Sequence, residues 1–171
     1  MFDPTIFENI KVVLEGAIYD LDLSNDLKVI NRRDIVDLAT MSREFIMQIQ
    51  TFDNERPYPF VEISVQSSIE DFTVEKIDEN EKDAGCNLEV SFFTRVNDID
   101  HDCIDIENML NNLWNRRPLI HQEIFFEYGS SNQFYNRVNL HFSRKINEDQ
   151  IEDIQSFIEL TIHSLKYFEK F

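Results

Sequence analysis

The chain has 171 residues, of which 42% are hydrophobic and 29% charged, so its composition is that of a globular domain and not of a disordered segment. Its 33 Asp and Glu residues outnumber 16 Lys and Arg residues and give a formal charge of −17 at pH 7. Because nucleic acids and anionic membranes attract basic residues, this balance argues against both as partners. It favours a chain that attracts a basic protein, binds cations or uses its charge to stay soluble.

The length fits a single domain over 1–171, and the start of the chain lacks the basic and apolar segments of a signal peptide. Only two cysteines occur, Cys86 and Cys103, whereas secreted domains stapled by disulfides usually contain more. No apolar run reaches the roughly 18 residues that a membrane-spanning helix requires. We therefore predict a soluble, cytoplasmic protein.

The first elements predicted are a helix, a strand and a hairpin. Apolar residues recur at helical spacing after Asp3 and Pro4, which suit a helix cap and a first helical position, so a helix is expected over 4–15. The β-branched residues that follow Gly16 predict a strand over 17–23. A turn at 24–26 would return the chain into a second strand over 27–30.

The middle of the chain is dominated by alternating apolar and polar residues. This alternation predicts strands over 43–50, 61–66 and 88–96, together with a weaker strand that holds Phe72 and Val74. An acidic loop is expected over 78–85. One-faced strands with short connections are typical of an antiparallel sheet that is covered on one side.

Two helices and a hairpin are predicted in the last third of the chain. A helix over 102–117 would end at Pro118, and a hairpin would follow. One strand of the hairpin would hold Ile120, Ile124, Phe126 and Tyr128, and its return strand would hold Val138, Leu140 and Phe142. Asn147 and Gln150 have the spacing of a capping box and predict the start of a long C-terminal helix.

This order of elements predicts an α+β fold: mainly antiparallel sheet, flanked by an N-terminal helix, a middle helix and a long C-terminal helix. The order is similar to that of small acidic secretion-chaperone domains, which also pack terminal helices around an antiparallel sheet. The resemblance lies in architecture and not in a shared motif. A chaperone-like role is what it implies, although a fold does not fix a function.

Motifs for nucleotide binding and for nucleophilic catalysis are missing from the sequence. The three glycines, Gly16, Gly85 and Gly129, lie far apart, whereas phosphate-binding loops need clustered glycines. The pattern Gly-x-Ser-x-Gly is also absent. Neither cysteine has a basic neighbour in sequence that would favour a thiolate. The sequence therefore predicts no cofactor and favours a protein that is not an enzyme.

The densest acidic cluster precedes the second predicted helix and contains the candidate metal ligands Asp98, Asp100, His101 and Asp102. Its aspartates follow the alternate spacing of a calcium loop. The match then fails, because Cys103 replaces the turn glycine and Met109 the bidentate glutamate. Zinc bound by His101 and Cys103 would lack enough further ligands. The alternative is that these acids cap the helix and favour its positive end.

The hairpin offers a second candidate site. If Tyr128 pairs with Phe134, His121 and His141 face each other on the outer side of the sheet. The next pair on that side would be Glu123 and Asn139. Such a group could bind a metal or exchange protons, and the alternative is a solvated or partner-covered sheet face.

The leading hypothesis is a non-catalytic protein-interaction domain, such as an adaptor, a chaperone-like protein or an immunity-type inhibitor of a basic partner. The apolar chain end could cover the sheet or form a partner groove or homodimer contact. Its candidate partner-binding residues are Leu165, Tyr167, Phe168 and Phe171. The alternatives are a metal-binding sensor or metal-dependent enzyme that uses the 98–102 cluster, and a small-molecule sensor with a pocket between sheet and helix.

Overall fold

The computed structural model describes residues 4–77, 84–130 and 133–171, so residues 78–83 of the acidic loop predicted at 78–85 lie outside the described residues. The helices are α1 (Thr5–Leu23), α2 (Ile69–Ile77), α3 (Ile99–Leu113) and α4 (Ile154–Phe168), with a 3-10 turn at Glu148–Asp153. The strands are β1 (Leu27–Asp37), β2 (Ser42–Thr51), β3 (Phe60–Ser67), β4 (Asn87–Val96), β5 (Leu119–Phe125) and β6 (Phe134–His141). None of these helices is both long and apolar enough to cross a bilayer.

All six strands form one antiparallel sheet in the order β1-β2-β3-β4-β6-β5, which confirms the predicted α+β fold. Side chains alternate between the two faces of each strand. One face, which we call the covered face, packs against the helices and supplies the core residues of β2, β3, β4 and β6. The opposite face is here called the open face. Ile46 on the open face is buried but lies outside the core cluster.

The core forms where α1 and α4 cross the covered face. Phe92 of β4 is fully buried and stacks on Phe168 of α4, with 4.8 Å between ring centroids. The predicted capping box of Asn147 and Gln150 is confirmed, and it starts the 3-10 turn that leads into α4. The long apolar stripe of the C-terminal helix therefore covers the sheet of its own chain.

The strand predicted at 17–23 is wrong, because α1 continues to Leu23. Ile18 is fully buried and follows Leu14 at helical spacing, so core packing outweighs the β-branched composition. Gly16 lies inside this helix, which continues for seven residues beyond it. The following strand, β1, pairs instead with β2 and extends well beyond the predicted 27–30.

The weak strand predicted around Phe72 and Val74 is also wrong, because these residues lie in α2. Ser68 and Asp71 form a reciprocal cap at its start. The Ser68 amide donates to the Asp71 carboxylate at 2.8 Å, and the Asp71 amide donates to the Ser68 hydroxyl at 3.3 Å. This Ser-x-x-Asp spacing was a helix-start signal that strand propensity obscured.

The middle helix is shifted toward the N-terminus relative to the prediction of 102–117. Asp98 is the N-cap of this helix, and Trp114 is its C-cap. Asn115 and Arg116 follow with left-handed φ values of 51° and 54°, which turn the chain out of the helix before Pro118. Sequence spacing did not reveal this early stop.

Candidate functional site

The acidic cluster that contains the candidate metal ligands caps α3, as the alternative interpretation expected. The Asp98 carboxylate accepts a hydrogen bond from the His101 amide at 3.1 Å, which holds the pKa of Asp98 below its usual range. The Asp102 carboxylate accepts from the amides of Asn97 and Asp98 at 2.9 and 3.1 Å. Asp100 lies in the same first turn. Across residues 4–77, 84–130 and 133–171, no group of three or more His, Cys, Asp or Glu side chains could hold a metal ion.

The predicted pairing of His121 with His141 is wrong, because the β5–β6 register is shifted by two residues. His121 pairs with Asn139, and His141 pairs with Leu119. The His141 Nδ1 lies 3.5 Å from a carboxylate oxygen of Glu89 on β4. A shift of two residues leaves every side chain on the same face, so apolar alternation alone could not identify the register. The strand β5 ends at Phe125, so Phe126 and Tyr128, which were predicted to lie in it, follow its end.

Both cysteines are free thiols. Burial, together with the charges of Asp71 and Glu75, raises the pKa of Cys86 to about 12. Burial and the nearby Asp102 and Asp100 also raise the pKa of Cys103. Neither side chain therefore has the low pKa that a nucleophilic cysteine needs near neutral pH.

The predicted partner-binding residues divide into two groups. Leu165 and Phe168 are buried in the core of their own chain. Tyr167 and Phe171 are half-buried, with 6.1 Å between their ring centroids, and Tyr167 also lines a shallow groove between α3 and α4. Partner binding by these four residues stays a prediction.

The open face carries a group of aromatic and arginine side chains that sequence reasoning missed. Its members, here named the aromatic–arginine cluster, are Tyr58, Phe60, Phe93, Arg95, Tyr135 and Arg137. They come from the loop before β3 and from β3, β4 and β6, which are adjacent in the sheet. Sheet pairing therefore brings together residues that are up to 79 positions apart in sequence.

The rings of the cluster hold the two guanidinium groups. Phe60 stacks on Phe93 with 4.5 Å between centroids and an interplanar angle of 10°. The Arg95 guanidinium lies 5.6 Å from the Tyr58 ring and 5.9 Å from the Tyr135 ring, and Arg137 lies 5.6 Å from the Phe93 ring. These distances are in the range of cation–π interactions.

Polar partners satisfy the two arginines only in part. Within the described part of the chain, the buried Nε atoms of Arg95 and Arg137 have no hydrogen-bond partner, and Arg95 forms no ion pair. Arg137 approaches the Glu123 carboxylate at 4.0 Å. Both side chains are half-buried, and a guanidinium group carries five N–H donors, so their terminal N–H groups can donate to an acceptor on another molecule.

Apolar surface extends from the cluster toward the sheet edge. Phe125 of β5 stacks on Tyr135 with 5.4 Å between centroids. Leu119, also on the open face, is 75% exposed, and Phe126 and Tyr128 beyond the end of β5 are 66% and 98% exposed. Apolar side chains grouped at one edge of a sheet are typical of an interaction surface.

The open face is also nearly neutral, although the chain is strongly acidic. Its outward-facing strand positions hold four cations and five carboxylates: Lys28, Arg33, Arg95 and Arg137 against Asp37, Glu44, Glu62, Glu89 and Glu123. Most of the net charge of −17 therefore lies elsewhere on the molecule. The open face differs from the rest of the surface in both charge and aromatic content.

A short sequence pattern could have indicated this cluster. Phe93-Thr94-Arg95 and Tyr135-Asn136-Arg137 each place an aromatic residue two positions before an arginine. In a strand such residues point to the same face. The two copies pair with each other across β4 and β6, where Phe93 faces Arg137 and Arg95 faces Tyr135.

No family model matches the chain, and neither the curated proteins nor the solved structures contain a significant match.

Proposed function

We propose that this chain is a non-catalytic protein-interaction domain, an adaptor, chaperone-like protein or immunity-type inhibitor, that docks its partner on the open face of the sheet. The observation that carries the proposal is the aromatic–arginine cluster, which continues into the exposed apolar side chains at the β5 edge. Tyr and Arg are among the residues that contribute most to protein interfaces when they are desolvated.

The stacked geometry of the cluster supports this assignment. Phe93, Tyr135 and the two arginines are already held against neighbouring rings. A partner therefore would not have to order them, and the entropic cost of binding is lower. The rings provide apolar contact area and the guanidinium groups provide hydrogen bonds at the same place.

The charge distribution supports a basic partner. A net charge of −17 attracts a positively charged protein over long range and raises its encounter rate. A nearly neutral open face then allows close contact without forcing many unpaired carboxylates out of water. The alternative partner is a second copy of this chain, because two acidic molecules repel each other least where their nearly neutral open faces meet.

Site-specific photo-crosslinking tests the docking surface. A benzoyl-phenylalanine residue replaces Tyr135 in the cluster in one variant and Val12, which is 62% exposed on α1, in a control variant. Crosslinking is performed in cells that express the chain. We expect a protein adduct from position 135 and none from position 12.

The identity of the adduct separates the possible outcomes. A basic protein whose binding weakens with salt supports the proposal, and the double variant R95E/R137E should then abolish the adduct while it retains the wild-type circular dichroism spectrum. An adduct between two copies of the chain, together with a dimer in sedimentation, would show that the partner is a second copy and not a basic protein. Equal crosslinking from positions 12 and 135, or none from 135, would overturn docking on the open face.

A further inference from the structure

A cleft of about 740 Å³ opens on the helical side of the molecule, opposite the open face. It lies among α1, the end of α3, the segment after β6, and the 3-10 turn with α4. Its volume is in the range of pockets that hold small organic ligands. The cleft is separate from the proposed protein-docking surface.

The floor of this cleft is apolar. Aliphatic and aromatic side chains form it: Ile10, Leu14, Trp114, Phe142, Phe157 and Leu160. The three rings pack against one another, with centroids 5.7 Å apart for Trp114–Phe142 and 5.8 Å for Trp114–Phe157. The Trp114 indole N–H donates to the Ser164 hydroxyl at 3.0 Å, so the tryptophan is fixed and its polar atom is satisfied. An apolar ligand can therefore cover this floor without leaving a donor unpaired.

Two arginines also line the cleft. Arg117 follows the turn after α3, and Arg144 lies in the segment after β6. Both are exposed, and among the residues that the structure describes neither guanidinium group forms a hydrogen bond or an ion pair. One carboxylate, Asp153, shares the lining. An apolar floor beside two unpaired cations complements a molecule with an apolar tail and an anionic head.

The backbone at the end of α3 determines where Arg117 lies. Asn115 and Arg116 both have left-handed φ values, and the Arg117 amide donates to the Trp114 carbonyl at 3.0 Å. Left-handed conformation is uncommon for residues other than glycine, and two in succession reverse the chain sharply. This turn brings Arg117 beside Trp114, so the cation and the apolar floor come from adjacent positions in the chain.

We propose that this cleft binds a single-tailed fatty carboxylate, with the tail on the apolar floor and the carboxylate at Arg117 and Arg144. The two guanidinium groups select an anionic head, and the aromatic wall selects an alkyl tail over a polar one. Asp153 weakens the attraction for the head. This binding activity is independent of the docking proposed for the open face.

Trp114 is the sole tryptophan of the chain and lines the cleft, so its fluorescence reports on this site alone. The intact protein is titrated with decanoate below the concentration at which micelles form. We expect a saturable change in fluorescence together with a rise in the melting temperature, because a ligand that binds the native state stabilises it. Decanol, which has the same tail without the charge, and butyrate, which has the charge without the long tail, should both bind more weakly.

Matched variants identify the contributing residues. The double variant R117Q/R144Q should raise the Kd for decanoate about tenfold or more, because it removes two charge-assisted contacts. R116Q is the control, since Arg116 is exposed but does not line the cleft. D153N should strengthen binding. S156F places a ring at an exposed lining position of α4 and should block the cleft.

Three results would each overturn the proposal. The first is an unchanged fluorescence and melting temperature at saturating decanoate. The second is equal affinity for decanol and decanoate, which would remove the role of the arginines. The third is wild-type affinity in S156F, which would place the ligand outside the cleft. Circular dichroism of every variant separates loss of binding from loss of fold.

Discussion

Phe92 and Phe93 are neighbours in β4, yet they serve the two faces of the sheet differently. Phe92 is fully buried on the covered face and stacks on Phe168. Phe93 lies half-buried on the open face, where it stacks on Phe60 and contacts the Arg137 guanidinium. The comparison shows that an aromatic residue stabilises the fold on one face and forms a candidate interaction surface on the other.

The same contrast holds for charge. On the covered face, ion pairs join α1 to the β1 end of the sheet, where Lys11 of α1 reaches Asp34 at 2.8 Å and Arg43 reaches Glu8 at 2.7 Å. On the open face, the arginines of the aromatic–arginine cluster are held mainly by rings. Charges on the covered face therefore join elements of this chain, whereas those of the cluster remain available to another molecule.

The largest effect expected is the difference between two adjacent alanine substitutions. Phe92→Ala should lower the free energy of unfolding by about 3–5 kcal/mol, because it removes a buried ring and leaves a cavity. Phe93→Ala should cost only about 1 kcal/mol, because this ring is partly in solvent and loses one stacked pair. Urea unfolding followed by circular dichroism measures both. Equal losses of unfolding free energy would show that Phe92 and Phe93 contribute equally to stability, contrary to the difference between the two faces.

A smaller effect is expected at the charged end of the covered face. Burial opposes ionisation of Asp34, but hydrogen bonds from Lys11 and Arg43 hold its pKa below the ordinary value of 3.8. The stabilisation is therefore present above pH 3.8 and is lost as the pH falls through the lower pKa of the folded state. Asp34→Asn should cost about 1 kcal/mol or less at neutral pH, since ion pairs open to solvent are weak.

The pH dependence distinguishes this contribution from a packing effect. The difference in unfolding free energy between wild type and Asp34→Asn should shrink as the pH is lowered below 3.8. Urea unfolding at a series of pH values measures it. A difference that stays constant with pH would show that the ion pairs do not account for it.

A still smaller effect is expected where the acidic cluster meets α3. Asp98→Ala should lower the melting temperature because it removes the acceptor of the His101 amide. Asp100→Ala should lower it less, because the Asp100 carboxylate accepts no hydrogen bond from the residues that the structure describes. If the cluster is a cap and not a metal site, both variants melt identically with calcium and with a chelator. A calcium-dependent rise in wild type that Asp98→Ala removes would support the metal alternative.

The smallest effect is expected for the open-face histidines. His121→Gln and His141→Gln should leave the melting temperature unchanged, because both side chains are exposed and lie in separate pairs with Glu123 and Glu89. Zinc should change the melting temperatures of wild type and of the double variant by the same amount. Stabilisation by zinc in wild type alone would show that the two imidazoles act together.

Sequence periodicity predicted the strands that lie in the middle of the sheet and the long C-terminal helix. Residues such as Ile63 in β3 and Ile158 in α4 are fully buried, and the strict spacing of their neighbours reflects that burial. The predictions failed at 17–23 and around Phe72, where strand-forming composition competed with helix packing and a cap. They also failed for the β5–β6 register, which apolar alternation leaves undetermined by two residues.

The sequence contains the repeated aromatic-x-arginine pattern of the cluster, but it does not place either candidate site in the fold. The aromatic–arginine cluster requires β4 to pair with β6 and not with β5, and local spacing does not specify strand order. The cleft requires the left-handed turn at 115–116 and the packing of α1 against α4. Both depend on contacts between residues that are far apart in the chain.

By itself, the sequence determined the acidity, the α+β class, the apolar stripe of the last helix and the cap at Asn147, because each depends on composition or on residues within a few turns. Tertiary structure decided that Leu165 and Phe168 cover this chain's own sheet. It also decided that Phe93, Arg95, Tyr135 and Arg137 share one face. The physical reason is that strand pairing and helix packing are non-local: they are set by which arrangement of the whole chain buries the most apolar surface while pairing its backbone.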